Sequence, residues 1–215
     1  ETLAALDDLQ RSGKVRYVGC SNFAGWQVMK ALGIADRTGL PRFVSQQVYL
    51  SLQERSAEYE IVPSAIDQGL GLLIWSPLAG GLLSGKYRRG QPTPAGARLA
   101  GEWDEPPVYD EERLHDTVDV LVEVAERHGT SPARVALAWL IARPGVTSVI
   151  VGARTEEQLA DNLAAATLDL TPGDHEALER ASRLPLIYPF WHHRKTAADR
   201  LSEADLSLLR PYLTP

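Results

Sequence analysis

The chain has 215 residues, with 22 lysines and arginines against 28 aspartates and glutamates for a formal net charge of −6, one cysteine, 44% hydrophobic and 23% charged residues. That composition excludes a disordered, collagen-like or disulfide-stapled chain, and its acidic balance argues against nucleic acid or an anionic membrane as partner. The lone Cys20 cannot form an intramolecular disulfide, and no apolar run reaches the roughly 20 residues of a membrane-spanning helix, so the expected compartment is the reducing cytosol. The chain opens inside a predicted helix, residues 1–11, has no signal-peptide pattern and carries its only methionine at position 29. It is therefore expected not to begin where a native gene product would.

Four short apolar runs rich in β-branched or aromatic residues, 15–19, 43–48, 72–75 and 149–151, are predicted as strands. Being continuous rather than alternating, they are expected to be buried on both faces. Between the first two lies a helical pattern over 26–38, closed by Gly39 and Pro41; between the second and third lies another over 58–68, closed by Gly69. A strand and a helix recurring roughly every 30 residues are the signature of parallel βα units with right-handed crossovers.

The third interval is longer. Gly80, Gly81 and Gly85, followed by the proline- and glycine-rich stretch 90–107, are expected to form a long loop. Leu114, Val118, Leu121, Val122 and Ala125 mark one face of a helix ending near His128. Ser131 and Pro132 open a second helix, 133–142, apolar almost all round. Thr155 with Gln158 has the form of a capping box for a helix over 156–166, and Thr171 with Pro172 starts another through 183. The tail, 185–215, with a short segment capped at Ser202, is expected to pack outside or below the sheet.

Polar residues concentrate at the strand ends: Cys20, Ser21 and Asn22 after the first, Gln46 and Gln47 in the second, Ser76 after the third, and 152–155 after the fourth. Ligands of parallel α/β folds bind at the carboxyl ends of strands, so these groups are expected on one rim. Each has a bland reading as well. Ser21 and Asn22 would serve equally as caps of the next helix, Gln158 as the far half of a capping box, and Trp75 as core.

Gly80, Gly81, Gly85 and Lys86 have the makings of a phosphate cradle, glycines allowing close backbone approach and the lysine supplying a charge. The pattern is neither a Walker A motif nor a G-x-G-x-x-G fingerprint, so neither a P-loop nor a Rossmann fold is expected. Arg154, just before a helix N-terminus, is a second place for an anion. The histidines at 115, 128, 175, 192 and 193 show no metal-ligand spacing, and no metal is expected. Cys20 reads as a buried thiol, and no nucleophile elbow is present.

The segments 13–23 (GKVRYVGCSNF), Gln47, 75–87 (WSPLAGGLLSGKY) and 151–154 (VGAR), with Gln158 and Asn162, resemble the aldo/keto reductase superfamily. The branch they are most similar to is the bacterial oxidoreductases akin to potassium-channel β-subunits. The resemblance runs from residue 1 to about 170 and weakens in the tail.

It implies an α/β fold, a (β/α)8 TIM barrel binding NADPH without a Rossmann domain and reducing aldehydes or ketones to alcohols. The four strands here match the fifth to eighth, so residues 1–184 are expected to be the C-terminal half of one barrel domain and 185–215 an extension. Carried over by position, Ser21, Asn22 and Gln47 hold the nicotinamide carboxamide and Trp75 stacks on the nicotinamide ring. Ser76, Pro77, Leu78, Leu82 and Lys86 wrap the pyrophosphate and ribose, and Arg98 clamps the phosphates. Gly152, Arg154, Gln158, Asp161 and Asn162 take the adenosine end, with Arg154 on the 2′-phosphate; NAD remains an alternative cofactor.

The family's catalytic Tyr, Lys, Asp and His come from its first four strands, so none is assigned here. Tyr49, near the rim, lacks a placed lysine or aspartate partner. The expectation is a chain with the cofactor site and no acid-base machinery, whose exposed sheet edges favour self-association. The competing readings are a non-catalytic NADP(H)-binding or regulatory module and an inactive truncated gene product.

Overall fold

The computed structural model describes residues 1–92 and 106–213. Four strands, β1 (Gly19–Ser21), β2 (Ser45–Tyr49), β3 (Gly71–Trp75) and β4 (Val146–Val149), form one parallel sheet in sequence order. The helices are α1 (Thr2–Arg11), α2 (Gly25–Thr38), α3 (Ala57–Gln68), α4 (Glu111–Arg127), α5 (Pro132–Ile141), α6 (Glu156–Ala164), α7 (Pro172–Ser182), α8 (Phe190–Thr196) and α9 (Glu203–Leu213). From α1 to β4 the described residues alternate helix and strand, except between β3 and β4, where α4 and α5 both intervene; α6 to α9 then follow β4 in succession.

Both end strands differ from their predicted bounds. The run 15–19 is mostly approach: the amides of Lys14 and Val15 fold back onto the carbonyl of Leu9, Tyr17 is exposed, and pairing with β2 starts from Val18 O. β4 begins earlier than the run 149–151 because Thr147 and Ser148 are polar, exposed strand residues that an apolar pattern cannot flag. A register shift between Leu72 and Leu73 lets β4 follow β3, and the amide of Ile150 still reaches Ile74 O at 2.8 Å.

The expectation of burial on both faces is also corrected. Along β2 and β3 burial alternates, with Gln46, Val48, Leu72 and Ile74 packed beneath the helices and Gln47, Tyr49, Leu73 and Trp75 half-buried on the other face. The runs are continuous because the second face is also lined with large side chains, Tyr49 and Trp75 among them. Between β1 and β4, which are the sheet's two edges, the core joins Leu72 and Ile74 to Val62 of α3, Leu121 of α4 and Trp139 of α5 in one cluster. α5 is buried continuously from Val135 to Leu140, which accounts for its nearly all-apolar composition. The tail helix α9 lies against α3, and Tyr59 of α3 stacks on Phe190 with centroids 5.6 Å apart.

Helix ends are fixed by side chains the sequence flagged. Ser131 accepts the amide of Arg134 and Thr155 that of Gln158. Ser202 and Asp205 exchange bonds at the start of α9. At α7 the cap is Thr171, and its capping-box partner Asp174 does more: it accepts the amide and hydroxyl of Thr171 at 3.0 and 2.7 Å, and also takes Arg127 Nη2 at 2.7 Å and His128 Nε2 at 2.8 Å from the end of α4. Burial pushes the Asp174 carboxyl up, but the donors from Arg127, His128 and Thr171 outweigh it and hold the group well below the usual carboxylate range.

A depressed carboxylate stabilises the fold above its unfolded pKa of about 3.9 and loses that contribution as pH falls through the folded value. Asp174→Asn is therefore expected to cost about 1–3 kcal/mol at neutral pH. The gap to the parent chain should close as pH is lowered below about 4. Denaturant melts at stepped pH read this directly; a gap that stays constant down to acid unfolding contradicts it.

Candidate functional site

The carboxyl ends of β3 and β4 diverge around a cleft of about 630 Å³. One wall comes from the segment leaving β3, with Trp75, Ser76, Pro77, Leu78 and Lys86 facing the space. The other comes from the loop after β4 and the first turns of α6, with Gly152, Arg154, Gln158, Asp161 and Asn162. Ala133 of α5 closes the cleft between them.

The first wall is built from unusual backbone. Ser76 and Ala79 sit at φ 49° and 50°, and Gly80, Gly81 and Gly85 at 64°, 100° and 80°. For a residue with a Cβ this region costs on the order of 1 kcal/mol or more, so two non-glycines held there mark a place where the loop's shape is over-determined by its surroundings. Two contacts supply that. Ser76 Oγ accepts the amide of Gly80 at 3.3 Å, and Ser84 Oγ donates to Gly81 O at 2.6 Å. The glycines also make room, since a Cβ on Gly81 would lie 3.3 Å from Lys86 Nζ and one on Gly85 2.7 Å from Pro132 Cγ. The turn is thus pressed against the start of α5 while its lysine is kept over the loop.

The second wall is pinned by its own side chains. Gln158 Oε1 accepts the amide of Arg154 at 2.9 Å, and Asn162 Nδ2 donates to Gly152 O at 3.3 Å. Gln158 therefore reaches one residue further back than a capping box would take it, and the loop is tied to the helix it precedes. Asp161 faces α5 instead: its carboxylate takes Arg134 Nε and Nη2 at 3.0 and 2.6 Å and a hydroxyl bond from Ser131. It is a brace between α5 and α6.

The cleft carries two cations, Lys86 and Arg154. Among the described residues neither Lys86 nor Arg154 pairs with a carboxylate, and the N-terminus of α6 adds the partial charge of its free amides.

The β1 end of the rim lies outside this cleft but is bonded to it. The amide of Asn22, whose backbone sits at φ 55°, continues the ladder to Gln47 O at 3.0 Å, and its side-chain Oδ1 accepts Trp75 Nε1 at 3.0 Å. α2 starts without Ser21 or Asn22: its N-cap is Ala24, whose amide goes to Gln27 Oε1 at 2.9 Å. The capping reading of those two residues is thereby removed. The adjacent glutamines part company: Gln47 is half-buried on the face shared with Trp75, whereas Gln46 is buried beneath the helices and donates to Phe23 O at 2.6 Å.

Leu82 differs from its predicted place. It is 5% exposed and belongs to the core rather than the cleft, because the 3-10 turn Ala79–Ser84 rotates it inward. Ser21 and Gln47 do not line the cleft either, and Arg98 lies outside the described residues. Cys20 is half-buried rather than buried; its Sγ faces Ser45 O at 4.0 Å, and burial raises its pKa, which keeps it a thiol.

Tyr49 has its hydroxyl committed. It donates to Gln53 Oε1 at 2.7 Å and lies 3.0 Å from Ser51 Oγ; burial, helped by Glu54 and opposed by Ser51, drives its pKa far above that of a free tyrosine. A general acid needs the opposite shift. Among the described residues no tyrosine hydroxyl is hydrogen-bonded to a lysine, no group of histidine, cysteine and carboxylate side chains is arranged to hold a metal, and no helix is long and apolar enough to cross a membrane.

Residues 1–183 match the model of the aldo/keto reductase family. "Uncharacterized oxidoreductase YrpG" of Bacillus subtilis (strain 168) is 42% identical over 170 residues, 79% of this chain and 50% of the relative. "Versiconal hemiacetal acetate reductase" of Aspergillus parasiticus is 33% identical over 193 residues, 88% and 54% of the two chains. A "Probable voltage-gated potassium channel subunit beta" of Oryza sativa subsp. japonica is 36% identical over 176 residues, 80% and 52%. The chain spans about half the length of the curated relatives it matches.

Proposed function

The chain belongs to the aldo/keto reductase family, an oxidoreductase family, and from that premise we propose that it is the dinucleotide-binding half of an NADPH-dependent carbonyl reductase. On this reading its sheet is an arc of a (β/α)8 barrel, β1 to β4 being the fifth to eighth strands, with residues 1–184 in the barrel and 185–215 an extension. The observation that carries the proposal is the cleft at the ends of β3 and β4, walled by a glycine turn with Lys86 on one side and by Arg154 ahead of α6 on the other.

The cleft fits such a cofactor. Its volume lies within the range usual for ligand pockets, its two cations, which pair with no carboxylate among the described residues, suit phosphate groups at both ends, and a Cβ on Gly81 would fill the space the loop keeps open beside Lys86. Lys86 and the loop amides would hold the pyrophosphate, Arg154 the 2′-phosphate, and Trp75 and Asn22 the nicotinamide end. When bound, the nicotinamide supplies the hydride delivered to an aldehyde or ketone carbon. The chain's own contribution is orientation: Trp75 offers a flat apolar face, and Asn22 keeps that face from turning by accepting its Nε1 proton.

Arg154→Ser tests the reading. A charge-assisted contact to the 2′-phosphate is worth about 1.5–3 kcal/mol, so NADPH affinity should fall about 10-fold or more while NADH affinity changes little. Calorimetric titration of both cofactors against both chains measures this. A parent chain that binds neither cofactor, with Trp75 intact, removes the proposal.

One observation favours a second reading, a non-catalytic NADP(H)-binding module: no tyrosine among the described residues is placed as a general acid, and Tyr49 is held protonated. Carbonyl-dependent NADPH oxidation by this half combined with the other half of the proposed barrel separates the two, since a module binds the cofactor and turns over nothing in either form.

A further inference from the structure

We propose that Tyr49, clamped by Ser51 and Gln53, is a positioning residue that sets the angle and rigidity of Trp75, and through it the nicotinamide end of the site; this rests on the cofactor reading above. Tyr49 and Trp75 are register partners across β2 and β3, so both side chains stand on the same face of the sheet. Their rings lie 5.0 Å apart at 31°. Tyr49 does not line the cleft that Trp75 faces. It supports Trp75 from the neighbouring strand, and the Asn22 bond holds the indole at its nitrogen.

The proton directions in this clamp follow from the donors available. Ser51, wholly buried, accepts the amides of Gln53 and Glu54 at 3.2 and 3.3 Å, which leaves its own hydroxyl proton for Tyr49 Oη at 3.0 Å. Tyr49 then donates to Gln53 Oε1 at 2.7 Å, and Gln53, 3% exposed, turns its Nε2 to Pro107 O at 3.1 Å. Every polar atom of that buried chain has a partner, and reversing any bond would leave a buried group unmet, so a single arrangement is preferred. Gln53 also ties the loop after β2 to the residues preceding α4. The tyrosine hydroxyl, unavailable for proton transfer, is therefore spent on fixing a ring.

Tyr49→Phe keeps the ring and removes the anchor. Measured on the full chain, NADPH should bind about 3- to 10-fold more weakly. Adenosine 2′,5′-bisphosphate, which carries no nicotinamide and would bind through Arg154, should be unaffected. Gln53→Met, which deletes the acceptor while keeping Tyr49, should give the same selective loss. A general weakening of the fold would lower both affinities together. Equal loss of both ligands, or no loss of either in both variants, overturns the proposal. A parent chain that binds neither ligand overturns the cofactor reading itself, a result distinct from an unselective variant.

Discussion

Arg55→Ala is expected to destabilise the fold by about 3–5 kcal/mol, the usual cost of stripping one partner from a buried ion cluster. Arg55 is 2% exposed, in the loop between β2 and α3. It bonds Glu58 at 2.7 Å, Glu179 of α7 at 2.9 Å and Ser182 Oγ at 2.9 Å. Arg143 closes the ring from the other side, 3.1 Å from Glu58 and 3.2 Å from Glu179. The two guanidinium groups lie 5.1 and 4.9 Å from the centroid of the buried Trp139 ring. Burial by itself would favour deprotonating Arg55, but the attraction of Glu58 and Glu179 wins and keeps it charged.

Removing Arg55 leaves two carboxylates sharing one arginine, and Glu58 is nearly as buried as Arg55 was. The same change unties α7 from the loop after β2. Arg55→Lys should lose less, since the charge remains while the fork that reaches three partners is gone. Denaturant unfolding of the single variants with Glu58→Ala, and of the double variant, should give a coupling energy of about 1–3 kcal/mol. Additive losses would mean that the cluster is not acting as a unit.

The second large effect is on binding. Trp75→Ala should weaken NADPH by about 2 kcal/mol, the threshold typical of an aromatic anchor, or about 30-fold. It deletes the flat face proposed for the nicotinamide and leaves Asn22 Oδ1 without its donor, at a residue already held at positive φ. Trp75→Phe keeps a ring but no N–H, and should sit between the two at about fivefold. Cofactor fluorescence and calorimetry read both variants. An unchanged NADPH affinity in Trp75→Ala would place the nicotinamide elsewhere.

Much of this fold was legible in residue patterns because the signals are local. Gly39, Gly69 and the caps Ser131, Thr155 and Thr171 act within a turn of themselves, so helix ends were read to within a residue or two. Strand ends were read less well where polar residues lie in the ladder, as Thr147 and Ser148 do, or where an apolar run is only the approach to a strand, as at 15–18. The candidate site was legible for the same reason in two blocks: 75–86 carries its glycines and lysine, and 152–162 its glycine, arginine and helix start, each in one short stretch.

Composition, spacing and motif order thus determined the succession of parallel βα units, the family resemblance and the two blocks of the cleft. Tertiary structure decided which side chains of those blocks face the cleft. Pairing of Ser21 with Gln47 and of Tyr49 with Trp75 is a matter of register, and a one-residue slip would turn every one of these side chains to the other face. Whether Asp161 faces a ligand or braces α5, and whether Leu82 wraps a cofactor or fills the core, depends on which partner lies closest in space. Residues dozens of positions apart, such as Gln53 and Pro107 or Arg55 and Glu179, meet only when the chain has folded around them.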